Sequence, residues 1–231
     1  MRWLTPRGLL AACAVGSAVA WGLSWPGLLV LAAFFLSGSL LTQLAERQAG
    51  GGGPRRSARQ VVANGGVAAV AALLGSWPGA AGAIAAAAAD TWATEIGAFS
   101  PIPPRLVTSW RRVTRGTSGG ITLLGTLGGC AGAVTIAWLT FALAPRGVTP
   151  RLVTVAMAGV AGMLADSLLG ATLQGKYECP ACDARFERGN TVCHEPVQLT
   201  TGRRWLDNDG VNFAATVVGA CVAAIGAYMW R

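Results

Sequence analysis

Four carboxylate side chains lie in or directly beside apolar stretches of this sequence, at Asp90, Glu95, Asp166 and Asp209. A charge in the bilayer core costs about 3 kcal/mol even on lenient scales, so such a group faces a partner or a wet cavity. Carboxylate and amide oxygens are also the hard ligands that Mg²⁺ prefers. We therefore expect a Mg²⁺ site that uses Asp90, Asp166 and Asp209, with polar oxygens from Asn64, Asn208 and Asn212.

Asp90 and Glu95 are five residues apart in the stretch "AAAAADTWATEIGAFS". At 3.6 residues per turn they are rotated by about 140°, so a straight helix cannot aim both at one ion. An alternative for Glu95 is a pairing at the helix end with one of the arginines in 105–115. For Asp90 and Asp166 the alternative to a metal site is a hydrogen bond between two helices.

The segment "RRVTRGTSGG" supplies the opposite charge. Its glycines let backbone N–H groups approach an anion at the start of a helix, where the helix dipole is positive. A simple helix cap is the commoner role of such a turn, but the acidic residues at the same depth favour a phosphate. The predicted phosphate-binding residues are Arg111, Arg112, Arg115, Gly116, Thr117, Ser118, Gly119 and Gly120.

Membrane helices must position these residues. The 231-residue chain is 53% hydrophobic and only 12% charged, with 32 glycines, which is typical of a polytopic helical membrane protein. A signal peptide at the first apolar run is a less favoured alternative. The expected fold class is an all-α transmembrane bundle of about seven helices, at roughly 7–23, 26–45, 60–77, 79–99, 118–144, 149–173 and 210–230.

The distribution of basic residues predicts the orientation. With a cytoplasmic N-terminus, 15 of the 18 lysines and arginines fall in cytoplasmic segments, so the C-terminus is expected outside. The polar residues of five helices then lie at the cytoplasmic end. The net charge of +8 on that face either sets topology alone or also attracts lipid headgroups and a phosphorylated substrate. No aromatic and basic interleaving indicates a nucleic-acid partner.

Between the sixth and seventh predicted helices lies "YECPACDARFERGNTVCHEP". The C-x2-C spacing suits zinc, and a reducing cytosol disfavours disulfides. Adjacent Cys193 and His194 are an irregular second half for a zinc site. The alternatives are free thiols or a redox role. The candidate zinc ligands are Cys179, Cys182, Cys193 and His194.

Several segments in order resemble the integral-membrane family (domain of unknown function 92) that contains plant phytyl-phosphate kinase and is distantly similar to phytol and dolichol kinases. They are "RQVVANGG", "AADTWATEIG", "PRLVTSWRRVTRGTSGG", "LADSLLGATLQ" and "LDNDGVNF". Ser118 stands where relatives usually have Asn. The family's motif residues carry over onto Asn64, Asp90, Glu95, Gly116, Thr117, Gly119, Asp166, Asp209 and Asn212.

This resemblance implies a CTP-dependent prenyl- or phytyl-phosphate kinase with Mg²⁺ as cofactor. Asp90, Glu95, Asp166 and Asp209 would then be catalytic, with Glu95 or Asp209 orienting or deprotonating the acceptor. The alternatives are an ion-coupled membrane transporter, or another CTP-using lipid phosphotransferase or nucleotidyltransferase. Transport sites favour the bilayer midplane, whereas these polar residues gather at one end.

The expected organisation has five parts. Two transmembrane helices in 1–45 lead into a basic linker at 46–59, and the first part of the membrane core follows at 60–174. A Cys-rich insert at 175–206 precedes the last helix at 207–231. The expected partners are the membrane, a nucleotide and a lipid isoprenoid phosphate, with the first two helices as candidates for a homodimer contact. The expected location is the cytoplasmic membrane, with the active site facing the cytoplasm.

Overall fold

The computed structural model describes residues 3–51, 55–145, 147, 151–182, 184–186, 189, 191 and 193–229. Six helices and five short strands occur in this part of the chain. The helices are α1 (Pro6–Gln48), α2 (Ala58–Leu73), α3 (Trp77–Gly97), α4 (Leu123–Leu143), α5 (Leu152–Thr172) and α6 (Asn208–Met229). The strands are β1 (Arg105–Leu106), β2 (Gly120–Ile121), β3 (Lys176–Glu178), β4 (Arg185–Phe186) and β5 (Gln198–Thr201).

Helix α1 contains both of the first two predicted helices. Its helical geometry is broken at Ser24, with φ 59° and ψ −165°, two residues before Pro26. The Trp3 and Phe35 rings meet edge to face with centroids 5.9 Å apart, so the two segments fold back on each other as a hairpin. The structure therefore has six helices in the described residues, and the first of them is divided at Ser24 into two segments that correspond to the first two predicted helices.

Helix α3 is the central helix of the bundle and contacts all five others. Trp77 and every residue from Gly79 to Ala89 are buried. Such a helix needs small side chains, since they allow neighbouring backbones to approach closely. A Cβ atom added at Gly82 would lie 2.3 Å from the carbonyl oxygen of Gly219 on α6. The alanine run thus forms the core of the protein, where the other helices cover it.

The outer surface is apolar. Large side chains such as Leu10, Trp21, Leu74 and Leu123 point outward with 71%, 86%, 79% and 76% of their area exposed. Four helices in the described residues are long and apolar enough to cross a membrane, namely α1, α4, α5 and α6. Alanine and glycine inside with leucine and tryptophan outside is the arrangement expected of a bundle that lies in lipid.

The short strands form two small sheets that the all-α expectation did not include. Strands β1 and β2 pair antiparallel, and β3 lies between β4 and β5 in an antiparallel sheet of three. The second sheet lies in the predicted Cys-rich insert. The sequence pattern did not predict these strands, because strands of two to four residues are too short to show a detectable periodicity of hydropathy.

The predicted helix limits agree with the structure to within a few residues at most ends. The largest difference is at the start of α4, predicted at 118 and found at Leu123, because 120–121 pairs in β2. Residues 149, 150 and 230 of the predicted helices, and 52–54 of the predicted linker, lie outside the described residues. The orientation of the bundle in the membrane stays a prediction.

Candidate active site

Asp90 on α3 and Asp166 on α5 are joined by a side-chain hydrogen bond. The amide of Asn212 on α6, oriented to suit both neighbours, donates to Asp166 Oδ1 over 2.9 Å and to the carbonyl oxygen of Asn208 over 3.3 Å. Three helices therefore bring two carboxyl groups and one amide together. We call these three side chains, Asp90, Asp166 and Asn212, the acid cluster.

Glycine at position 162 explains why these side chains meet. A Cβ atom there would lie 2.3 Å from Ala86 Cβ on α3 and 2.9 Å from the carbonyl oxygen of Ala215 on α6. Gly162 and Asp166 share a helix face at i and i+4, as do Ala86 and Asp90. The close crossing one turn away from the acid cluster thus sets how near its carboxyl groups approach each other.

Glu95 faces another part of the bundle. Thr42 Oγ1 on α1 donates to Glu95 Oε1 over 2.6 Å. Burial lowers the pKa of Arg56, and the Coulomb attraction of Glu95 partly offsets this shift. One turn before Glu95 in α3, Trp92 Nε1 donates to Ser37 Oγ over 3.2 Å. Glu95 thus pairs with α1 and the segment after it, whereas the sequence left open an arginine in 105–115.

The loop of residues 116–120 lies against the end of α5. Gly119 has φ +80°, and a Cβ atom there would lie 2.5 Å from the backbone nitrogen of Ala171. Lys176 Nζ is 3.4 Å from the carbonyl oxygen of Ser118 and 3.5 Å from that of Ala171. The loop therefore lies about one and a half helical turns beyond Asp166 on α5, roughly 8 Å along its axis at 1.5 Å per residue.

The three predicted phosphate-binding arginines have different surroundings. Arg115 Nη2 donates to the carbonyl oxygen of Ser100 and so ties the loop to the end of α3. Arg111 and Arg112 are exposed on the segment that leads from β1 to the loop. The Thr122 side chain accepts the backbone N–H of Gly125 and caps α4. The helix cap that was the alternative interpretation is thus present at Thr122, directly after the glycine-rich loop.

A cavity of about 720 Å³ opens between the starts of α1, α2 and α6 and the sheet of the insert. Arg59 Nη2 lies 2.7 Å from Asp207 Oδ2, and Arg59 Nε lies 3.6 Å from the buried Asp209 Oδ2. Ser57 and Gln60 form a capping box at the start of α2. Arg7 and Arg204 also line this space, as does Tyr177. We call it the arginine cavity.

The two remaining asparagines have local roles. Asn64 Nδ2 donates to the Gln60 carbonyl within α2, and the adjacent Ala63 carbonyl accepts the Thr216 hydroxyl over 3.2 Å. Asn208 is exposed at the start of α6, where its backbone carbonyl accepts from Asn212. Of the three predicted asparagines, Asn212 therefore contacts Asp166 directly, whereas Asn64 bonds within α2.

The four candidate zinc ligands come together in the insert. One sulfur or nitrogen atom from each of Cys179, Cys182, Cys193 and His194 lies within 4.8 Å of all the others. Adjacent Cys193 and His194 both reach this point, although their order in the sequence is irregular for a zinc site.

Comparison with known proteins identifies the family. A model described as "Integral membrane protein DUF92" matches residues 1–220. The chain belongs to this DUF92 family. It is 34% identical to "Protein PGR" of Arabidopsis thaliana over 169 residues, which cover 68% of this chain and 55% of that protein. No solved structure matches it.

Two further proteins that the chain is similar to are named as uncharacterized membrane proteins. MJ0933 of Methanocaldococcus jannaschii is 34% identical over 142 residues, covering 62% of this chain and 48% of that protein. The protein sll0875 of Synechocystis is 28% identical over 236 residues, covering 95% and 81%. The chain spans about half the length of the first two curated relatives that it matches.

Sequence reasoning missed several polar residues of this DUF92 protein. Arg7, Arg59 and Arg204 line the arginine cavity, and Thr42 binds Glu95. The capping box at 57–60 indicated a helix start beside Arg59, which was a usable clue. Gln174 was also missed as a site residue: its side chain is buried, and its Nε2 has no hydrogen-bond partner among the described residues. It lies beside Gly170, near the glycine-rich loop.

Proposed function

We propose that this DUF92 protein is a membrane-embedded kinase that phosphorylates an isoprenoid (phytyl or prenyl) monophosphate. A nucleoside triphosphate, with CTP favoured, is the donor and the isoprenoid diphosphate is the product. The observation that carries the proposal is the contact between Asp90 and Asp166, which two separate membrane helices bring together beside Asn212. Two ionised carboxyl groups repel each other inside an apolar bundle, so their contact requires a cation or a proton shared between them.

The donor set of the acid cluster fits Mg²⁺. Two carboxyl groups and an amide are oxygen ligands of the required hardness, and Mg²⁺ usually leaves its other positions to water and substrate phosphates. Asp90 and Asp166 would hold the ion, and Asp209 is a third candidate because it is buried at the edge of the arginine cavity. A bound Mg²⁺ supplies charge neutralisation for the phosphates. Orientation and binding remain the task of the protein's own residues.

Positive charge for the phosphates comes from two places at the same end of the bundle. The arginine cavity offers Arg7 and Arg204, in addition to Arg59 with its acidic neighbours. The glycine-rich loop adds backbone N–H groups and lies beside Lys176. Phosphoryl transfer needs little covalent help from a protein, so positioning and charge stabilisation account for most of the catalysis.

In the proposed reaction, an oxygen of the isoprenoid monophosphate attacks the γ-phosphorus of the nucleotide. A new P–O bond forms as the bond to the β-phosphate oxygen breaks, and the nucleoside diphosphate leaves. A phosphate oxygen is already ionised at neutral pH, so the acceptor needs orientation more than deprotonation. Asp209 borders the arginine cavity 3.6 Å from Arg59, so it would orient the acceptor through that guanidinium or a bound Mg²⁺, whereas Glu95 is bound by Thr42.

The lipid part of the substrate would lie in the bilayer beside the bundle. The outer faces of the helices carry exposed leucine and tryptophan side chains, which are compatible with a prenyl chain. The distribution of arginine and lysine favours a cytoplasmic site in the inner membrane, where the nucleotide is available. This arrangement would present the phosphate of the lipid to the polar end of the bundle without removing its tail from the hydrocarbon.

The test is a transfer assay on the purified protein in detergent or liposomes with Mg²⁺. Radiolabelled CTP or ATP is combined with phytyl, farnesyl or geranylgeranyl monophosphate, and labelled diphosphate is measured. Asp90→Asn and Asp166→Asn should each lower turnover at least about 100-fold, the loss typical of removing one strong transition-state contact. Glu195→Gln, which removes an exposed negative charge from the insert, is the matched control.

The assay can contradict the proposal in two ways. A folded wild-type protein that transfers phosphate from neither nucleotide to any of the three acceptors would refute the kinase. Full activity in Asp90→Asn would refute the assignment of the acid cluster. In the first case, ion flux through the same liposomes would be measured next, because shared carboxyl groups between helices also serve ion-coupled transport.

A further inference from the structure

We propose that Cys179, Cys182, Cys193 and His194 bind one zinc ion, which fixes the insert between α5 and α6 as a wall of the arginine cavity. This proposal does not depend on the kinase activity. It rests on the positions of the four side chains, on the backbone turns that hold them, and on the contacts that the strands of the insert make with the rest of the protein.

The distances fit tetrahedral zinc. Zn–S bonds of about 2.3 Å and Zn–N bonds of about 2.1 Å place two sulfurs roughly 3.8 Å apart and a sulfur and nitrogen roughly 3.6 Å apart. Cys182 Sγ and Cys193 Sγ are 3.5 Å apart, and Cys193 Sγ is 3.4 Å from His194 Nδ1. The sulfur separation exceeds a disulfide bond, so the thiols are free and grouped around one point.

The backbone on both sides is shaped for this arrangement. The amide of Cys182 donates to the carbonyl of Cys179 over 3.4 Å, and the amide of Cys179 donates to the carbonyl of Ala184 over 2.9 Å. These bonds close a tight turn that brings both cysteines of the C-x2-C pair to the same side. On the other segment, the Cys193 amide donates to the Glu195 carbonyl over 3.3 Å. Two separate turns therefore converge.

A zinc ion bound by these four side chains would clamp together β3 and β5, the two longest strands of the insert. Cys179 directly follows β3, and His194 lies four residues before β5. The insert has little apolar core of its own, since Tyr177, Cys179 and Leu206 are its buried apolar side chains in the described part. A sheet of this size is marginal without a further cross-link, and a structural metal is a common one.

The clamped strands carry residues that reach the candidate active site. Tyr177 on β3 and Leu199 on β5 line the arginine cavity. Lys176, the first residue of β3, lies against Ser118 in the glycine-rich loop. Zinc would therefore position one wall of the cavity from a distance, and it would have no part in any chemical step.

Metal analysis of the purified full-length protein tests the proposal directly. We expect about one zinc per chain by mass spectrometry of the element in protein prepared under reducing conditions. Cobalt exchanged into the site should give the visible bands of tetrahedral Co²⁺ and strong sulfur-to-metal bands in the near ultraviolet. Cys182→Ser should lose at least ten-fold of the metal, and His194→Ala should weaken its retention against a chelator.

Cys221→Ser is the matched control, because Cys221 is also exposed but lies on α6 outside the cluster; it should retain all the zinc. If Cys182→Ser fails to fold, wild-type protein treated with a chelator serves instead. Proteolysis within the insert should become faster when the metal is removed and slow again on adding zinc. Protein without zinc and without a cobalt spectrum would overturn the proposal, as would a Cys182–Cys193 disulfide detected in the reduced preparation.

Discussion

Thr42 on α1 donates a hydrogen bond of 2.6 Å to Glu95 on α3, across 53 residues of sequence. The second half of the α1 hairpin thereby contacts the same helix that carries Asp90. The sequence assigned no chemistry to the first two predicted helices, yet they provide a hydrogen-bond partner for one of the few carboxylates within the bundle. We infer that α1 is part of the structure that orients the polar end of α3.

Replacing Thr42 tests this coupling. Thr42→Val keeps the shape but removes the donor, so it should lower the free energy of unfolding by about 1 kcal/mol, in the range of hydrogen bonds between membrane helices. Thr42→Ser keeps the hydroxyl and should have a much smaller effect. Thermal or denaturant unfolding in detergent measures both. In a double-mutant cycle with Glu95→Gln, additive effects of the two changes would show that the residues are not coupled.

The glycine-rich loop offers a pair of matched substitutions. Gly119 and Gly116 have φ of +80° and +81°, so alanine is strained by the backbone at both positions. Only at Gly119 would the new methyl group also meet the Ala171 backbone, at 2.5 Å. We expect Gly119→Ala to lower phosphoryl transfer at least ten-fold and Gly116→Ala much less. Equal losses in the two variants would show that backbone strain, and not the contact with α5, limits the loop.

Close packing of α3 against α6 gives a prediction about stability. A methyl group at Gly82 would lie 2.3 Å from the Gly219 carbonyl oxygen, and one at Gly16 would make only an ordinary 3.7 Å contact with Leu28. Gly82→Ala should destabilise the bundle by roughly 1–3 kcal/mol through overpacking. Gly16→Ala should be neutral or slightly stabilising, since alanine favours a helix. The concentration of a denaturing detergent at which half of the protein is unfolded is measured for both variants. Similar values for the two would contradict the described packing.

We expect the loss of an arginine from the arginine cavity to weaken nucleotide binding. Arg204→Gln removes a positive charge that lines the cavity, and it should raise the KM for the nucleotide about ten-fold, the worth of one charge-assisted hydrogen bond. The kcat should change less. Arg47→Gln removes an exposed charge at the end of α1 that is not among the residues lining the cavity, and is the control. A KM that is unchanged in Arg204→Gln would place the nucleotide elsewhere.

Much of the architecture was predictable from the sequence. Long apolar runs need no tertiary context to be recognised as membrane helices, since each must satisfy its own backbone hydrogen bonds. The shared depth of Asp90, Asp166 and Asn212 also followed from counting residues along these helices. Their direct contact did not, because it depends on the rotation of three helices and on the close crossing at Gly162.

The sequence by itself determined that this is a helical membrane protein with acidic and amide groups at one end of several helices. Only the tertiary structure decided which of them meet. It joined Asp90 to Asp166 and turned Glu95 toward Thr42; it also brought three unassigned arginines to one cavity and placed both Cys193 and His194 beside Cys179 and Cys182. Depth along a helix depends on residue number alone, whereas a contact between helices depends on packing of small side chains that no local pattern encodes.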